Sequence, residues 1–149
     1  MNQETTASAG LQPAIPTPDE VGDEEYVELR KIIKLEAAID FAITVPMRTT
    51  YKPLGLVSGW FWRDAKFHTA LGVISEKAIA RGEGAKSAVV CRGGNDGKPT
   101  RPGRQFYEMV ERARKIAIPR LASGEYDPVE AEKVWVGEMV KLGFNPVGL

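Results

Sequence analysis

The stretch from Ala85 to Tyr107 constrains the fold most strongly, because it sets three kinds of segment in a fixed order. Lys86–Cys91 contains a short apolar run that is typical of a buried strand. The turn signal Asn95-Asp96-Gly97 follows, and neighbouring glycines and prolines leave no room for regular structure before Gln105. We therefore predict a loop or a hairpin wing between a strand and a helix. Loops held on a rigid scaffold are where binding usually resides.

The charges of the chain are unevenly distributed, although its 20 basic and 20 acidic residues cancel. Six acidic residues and no Lys or Arg precede Tyr26. Between Arg48 and Arg120 there are fifteen basic residues and six acidic ones. Such an excess indicates nucleic acid or another polyanion as a partner. A solvated surface balanced by the two ends of the chain explains it equally well.

Residues 1–22 are predicted to be a disordered acidic arm, followed by a single α+β domain over residues 23–149. The first 16 residues are rich in Thr, Ala, Gln and Pro and have no periodic apolar pattern. No apolar run approaches the roughly 20 residues of a membrane span, and the first residues lack the features of a secretory signal. We expect a cytoplasmic protein that does not enter the membrane. The single cysteine, Cys91, agrees with a reducing compartment.

Three amphipathic helices are indicated towards the ends of the predicted domain. The first begins at Thr17 or Asp23, which both have capping signals. Its apolar stripe is Tyr26, Leu29, Ile33, Ala37 and Phe41. A helix with a basic outer face is predicted over residues 106–116. The last helix begins at Asp127-Pro128, where a capping residue precedes a proline, and ends at Gly143.

Two shorter helices are predicted in the middle of the chain. One begins at Thr49 or Thr50 and ends at Gly59, and the next runs from Trp60 to about Gly72. Two helices joined by a glycine-containing turn are the outline of a helix-turn-helix. With the strand and the wing, they predict an α+β fold with a winged-helix-like centre, in which three or four helices surround a small sheet.

The segments TTYKPLGLVSG, ALGVIS and AKSAVVCRGGNDGKPTRPGRQFYEMV resemble a small-protein family of bacteria and phages. Its members run from a Thr-Tyr-initiated helix through a Leu-Gly-x-Ile-Ser segment and an apolar strand to a Pro-Gly-x-x-Phe ending. The matching residues here are Thr50, Tyr51, Leu71, Gly72, Ile74, Ser75, Val89, Val90, Pro102, Gly103 and Phe106. The likeness covers Thr49 to about Val110. It implies a shape and a phage or mobile-element origin, and no particular chemistry.

The order of helix, turn, helix, strand and wing also looks like the DNA-binding half of the alkylguanine transferases. Those enzymes carry a Pro-Cys-His-Arg active site at the end of the strand, whereas this chain has Val90-Cys91-Arg92. The histidine that would activate the thiol is missing. This second resemblance therefore implies the DNA-binding shape and not the transferase activity.

Six basic residues are the candidate nucleic-acid contacts. They are Arg63 and Lys66 on the second central helix, and Arg92, Lys98, Arg101 and Arg104 on the wing. A loop of this kind neutralises phosphates without reading the base sequence. The main hypothesis is a non-enzymatic nucleic-acid-binding protein. The alternative is a protein-interaction module, an inhibitor or adaptor that acts on a host protein.

A third hypothesis is a small enzyme centred on Cys91 and His68, with the imidazole as the base for the thiol. A cysteine that follows Ala-Val-Val on a strand is more often a small buried hydrophobe. One Cys and one His also fall short of the usual ligands of a structural zinc, so we predict no metal and no cofactor.

Three consecutive aromatic residues, Trp60, Phe61 and Trp62, allow two interpretations. Beside basic residues, such rings stack on nucleobases in proteins that bind single strands. Core packing is the favoured interpretation, because large aromatic surfaces are costly to leave in water.

Overall fold

The computed structural model describes Thr17 and residues 22–149. Nearly all of the predicted acidic arm lies outside these residues, and its disorder stays a prediction. The contacts of the chain divide it into two compact units, Met1–Arg30 and Lys31–Leu149. The domain boundary expected after residue 22 stays a prediction.

The described residues form five α-helices and one two-stranded sheet, so the fold is α+β as predicted. The helices are α1 (Asp23–Thr44), α2 (Tyr51–Ser58), α3 (Ala65–Ala80), α4 (Arg104–Arg114) and α5 (Pro128–Lys141). The strands are β1 (Thr49–Thr50) and β2 (Val90–Cys91), and a short 3-10 helix over Lys86–Val89 leads into β2. The expected number of three or four helices was too small. No helix in the described part of the chain has the length and apolar character that a membrane crossing needs.

The buried face of α1 differs from the predicted stripe. Leu35, Ile39 and Ala42 are its buried residues, whereas the side chain of Phe41 is 70% exposed. Steps of three and four residues fit more than one face of this helix, and the packing partners decide which face is buried. The prediction that Phe41 belongs to the core is therefore wrong.

The second central helix begins and ends later than predicted. Asp64 is its N-cap, and the carboxylate accepts a hydrogen bond from the backbone N–H of Lys66 at 2.9 Å. Residues Trp60–Arg63 consequently lie in the turn between α2 and α3, so the expected position of Arg63 on the helix is wrong. The helix also continues past Gly72, where an end was expected.

The predicted start of α5 is confirmed. The side chain of Asp127 accepts hydrogen bonds from the backbone N–H groups of Val129 and Glu130, at 2.9 and 3.3 Å. Pro128 occupies the first turn, where its missing N–H costs nothing. This start is specified within four residues, which is why the sequence pattern was sufficient.

The strands β1 and β2 pair in parallel, with Thr49 beside Val90 and Thr50 beside Cys91. Only the last two residues of the predicted strand are extended, because the four before them form the 3-10 helix. The two strands end at the same edge of the sheet. The chain enters α2 directly after β1, and it enters the glycine-rich segment directly after β2.

The core of the larger unit joins α1, α3, α4 and α5 around the segment that contains β2. Leu35, Phe67, Val89, Val110 and Trp135 lie at its centre and are fully buried. The indole N–H of Trp135 donates a hydrogen bond to the carbonyl of Ala88 at 2.8 Å, which ties α5 to the 3-10 helix. The scaffold that carries the sheet edge is therefore well packed.

One carboxylate, that of Glu138, is buried in this scaffold and is 3% exposed. It accepts two hydrogen bonds from Arg114, at 2.7 and 2.9 Å, and one from the backbone N–H of Ala85 at 2.8 Å. Burial raises the pKa of Glu138, but these hydrogen bonds outweigh it and hold the pKa below its usual range. The expected basic outer face of α4 is therefore partly used for internal pairing.

Candidate nucleic-acid interface

Residues 92–101 form a hairpin at the position of the predicted wing. Gly93 and Pro99 make an antiparallel bridge, and the backbone N–H of Arg92 donates to the carbonyl of Arg101 at 2.8 Å. Gly97 has a φ of +80°, a conformation that favours glycine. The turn predicted from Asn95-Asp96-Gly97 is therefore confirmed.

Two cations of the hairpin, Arg92 and Lys98, are exposed. Neither side chain makes an ion pair or a hydrogen bond with another residue of the described part of the chain. The carboxylate of Asp96 accepts a hydrogen bond from the backbone N–H of Lys98 at 2.9 Å, so it stabilises the turn instead of pairing with a cation. Both positive charges face solvent.

The other two predicted wing cations, Arg101 and Arg104, have acidic partners. Arg101 pairs with Glu132 at 2.8 Å, and its guanidinium lies 4.5 Å from the centre of the Trp135 ring. Arg104 pairs with Glu108 one turn further along α4, at 3.0 Å. These contacts anchor the hairpin end and the start of α4. The sequence pattern does not distinguish these two paired cations from the exposed Arg92 and Lys98.

The base of the hairpin is fixed beside the start of α2. Arg48 donates a hydrogen bond to the carbonyl of Thr100 at 2.6 Å, and the backbone N–H of Gly103 donates to the hydroxyl of Tyr51 at 3.0 Å. Burial raises the pKa of Tyr51, while the Gly103 hydrogen bond and the positive charge of Arg92 oppose the rise. Arg92 therefore lies close enough to influence the first residue of α2.

A second group of cations surrounds Trp62. The guanidinium of Arg63 lies 4.6 Å from the centre of the Trp62 ring, and the ammonium of Lys52 lies 5.9 Å from it. Lys66 is exposed in the first turn of α3, as expected. Lys52 was missed by the sequence reasoning, although it directly follows the Thr-Tyr start of the predicted helix. The parallel pairing of β1 and β2, which sets Thr50 beside Cys91 directly before the hairpin, has no such local signal.

The aromatic run divides between core and surface. Trp60 is 6% exposed, which confirms core packing for this ring. Phe61 is 65% exposed, so core packing is wrong for Phe61, and Trp62 is half-buried.

Cys91 and His68 have separate hydrogen-bond partners. The thiol of Cys91 is fully buried and donates a hydrogen bond to the carbonyl of Ala88 at 3.7 Å. His68 Nε2 bonds to the carbonyl of Trp62 at 2.9 Å. Burial raises the pKa of Cys91 to about 11, against the opposing charges of Arg48 and Arg101. The thiol is therefore protonated at neutral pH and closed off from solvent.

Two spaces of different size lie beside His68. A cavity of about 30 Å³ lies next to Tyr51, His68 and Ser87, which is enough for a water molecule. An open groove of about 340 Å³ adjoins it between α3 and α4, where Arg112 and Glu76 pair at 2.8 Å. Among the described residues, no three His, Cys, Asp or Glu side chains are grouped in a way that would hold a metal ion.

The resemblances drawn from the sequence motifs, and the cytoplasmic location, stay predictions. No family model, no curated protein and no solved structure matches the chain.

Proposed function

We propose that this chain binds nucleic acid without catalysing a reaction, and that Arg92, Lys98, Lys52 and Arg63 contact the phosphate backbone. The observation that carries the proposal is the register of the parallel sheet, with Thr50 beside Cys91. Because both strands end at this edge, the hairpin and the start of α2, which carries Lys52, leave the sheet side by side.

The charges in this region suit a polyanion. The four cations make no ion pair with a described carboxylate, whereas Arg101 and Arg104 are already paired. Each phosphate that a Lys or Arg neutralises releases counterions, so affinity falls as salt rises. We assign Arg101 and Arg104 to anchoring the hairpin, and Lys66 to the edge of the binding region.

The winged-helix-like interpretation belongs to the same proposal. In it the hairpin of residues 92–101 acts as the wing, while α2 and α3 are the two helices. Backbone contacts from such an element position the protein on its ligand without reading the bases.

The test compares two double variants that each remove two positive charges. Arg92→Ala/Lys98→Ala removes the hairpin cations, and Lys77→Ala/Lys133→Ala removes exposed cations from α3 and α5. Binding of labelled single-stranded and duplex oligonucleotides is measured by fluorescence anisotropy at low salt. We expect the hairpin variant to bind both ligands several-fold more weakly, and the control to bind like the wild type. Equal affinities for the two variants would remove the hairpin from the proposal.

A second candidate function is a protein-interaction module. It is favoured by Leu56 and Val57 on α2, whose side chains are 85% and 55% exposed. This function predicts that oligonucleotides do not bind at low salt. A photo-crosslinking residue at position 56 would then label a host protein, and the same residue at position 133 would not.

A further inference from the structure

Phe61 carries an exposed ring on a turn whose backbone is held in place. Its carbonyl accepts a hydrogen bond from the backbone N–H of Asp64 at 2.8 Å. Gly55 of α2 lets the turn pass close to the helix, because it has no side chain. A Cβ atom there would lie 2.7 Å from the carbonyl oxygen of Trp60 and 3.2 Å from the backbone nitrogen of Trp62. This close approach to α2 sets Trp60 in the core and Phe61 in solvent.

The neighbouring ring of Trp62 is partly buried against the core and has two cations over it. The Phe61 and Trp62 ring centres are 6.1 Å apart and the rings are tilted by 55°. Arg63 and Lys52 lie within 6 Å of the Trp62 ring centre, and neither is paired with a described carboxylate. Such a group offers a base a surface for stacking and offers the adjoining phosphate a counter-charge.

We infer that Phe61 and Trp62 stack on unpaired bases, so that the ligand is a single-stranded nucleic acid. This inference rests on the proposed function, since the cations of the hairpin hold the backbone while the rings contact the bases. In a duplex the base faces are stacked on one another, so a protein surface contacts mainly the phosphates. An exposed phenyl ring therefore favours single strands over duplexes.

The experiment measures binding of an oligothymidylate of about 15 nucleotides, and of a duplex of the same length, by fluorescence anisotropy. Phe61→Ala is compared with Phe41→Ala, which removes an equally exposed phenyl ring from α1. We expect Phe61→Ala to weaken oligothymidylate binding about 5- to 150-fold, the usual effect of losing one stacked base. Duplex binding by Phe61→Ala, and both affinities of Phe41→Ala, should stay at the wild-type level.

Tryptophan emission gives a second readout that does not depend on affinity. Stacking on Trp62 should quench the emission when oligothymidylate binds, and Trp62→Phe should lose most of that quenching while remaining folded. The inference is overturned if the wild type binds duplex at least as tightly as oligothymidylate and Phe61→Ala matches Phe41→Ala. In that case the proposed function survives if Arg92→Ala/Lys98→Ala still weakens binding. Absence of binding to either ligand at low salt would instead refute the proposed function itself.

Discussion

Replacing Glu138 by Gln is expected to destabilise the protein substantially, because it breaks a buried ion pair without changing the size of the side chain. The carboxylate is 3% exposed and accepts hydrogen bonds from Arg114 and from the backbone N–H of Ala85. A glutamine has one acceptor oxygen in place of two. The substitution therefore leaves Arg114, whose side chain is 22% exposed, with a weakened partner and an uncompensated charge.

The size of the effect follows from this geometry. Removing one partner of a fully buried pair costs about 3–5 kcal/mol. The expected cost here is lower, about 2–4 kcal/mol, for two reasons. Arg114 is partly exposed, and the Glu138→Gln side chain would retain one acceptor oxygen. The matched control is Glu132→Gln, whose pair with Arg101 is about half exposed and contributes at most about 1 kcal/mol.

Urea denaturation of the full chain at pH 7 measures both free energies of unfolding. The folded-state pKa of Glu138 is lowered, so its contribution is fully present above the unfolded-state pKa of about 4.3 and is lost as the pH falls through the folded-state value. The gap between wild type and Glu138→Gln should therefore shrink below about pH 4. A Glu138→Gln variant no less stable at pH 7 than Glu132→Gln would show that the buried pair of Glu138 and Arg114 does not stabilise the fold.

Two further predictions concern the packing that supports the binding surface. The Cys91 thiol should resist a thiol reagent at pH 8 until the protein unfolds, since it is fully buried with a pKa of about 11; rapid labelling of folded protein would contradict this. Gly55→Ala should lower the free energy of unfolding by about 1–3 kcal/mol, because the new methyl group meets backbone atoms of Trp60 and Trp62. Gly137→Ala should raise it by up to about 1 kcal/mol, because the added atom meets open space and alanine favours the helix α5. Thermal melts of both variants check the second prediction, and a melt of Gly55→Ala at the wild-type temperature would show that the turn is not tightly packed.

Features specified by a few neighbouring residues were predictable from the sequence. The cap at Asp127 with Pro128, and the turn ending in Gly97, both depend on backbone geometry within four residues. The start of α3 had a comparable signal in Asp64, but the aromatic spacing from Trp60 to Phe67 also fits a helix and pointed to an earlier start.

Features that depend on distant residues were not predictable from the sequence. The strand β1 is two residues long, so no periodicity marks it, and its parallel pairing with β2 sets the start of α2 beside the start of the hairpin. Arg101 pairs with Glu132, which is 31 residues further along the chain. A count of cations in the loop could not separate such a paired residue from the exposed Arg92.

The salt dependence of oligonucleotide affinity tests most directly whether the exposed hairpin cations hold phosphates. The affinity for oligothymidylate is measured between about 50 and 200 mM salt for three proteins. They are the wild type, Arg92→Ala/Lys98→Ala and the control Lys77→Ala/Lys133→Ala. Each lost phosphate contact should flatten the plot of log affinity against log salt by about 0.7 for a single strand. The hairpin variant should lose about 1.4 from the slope, whereas the control should keep the wild-type slope. Identical slopes for the two variants would contradict this prediction.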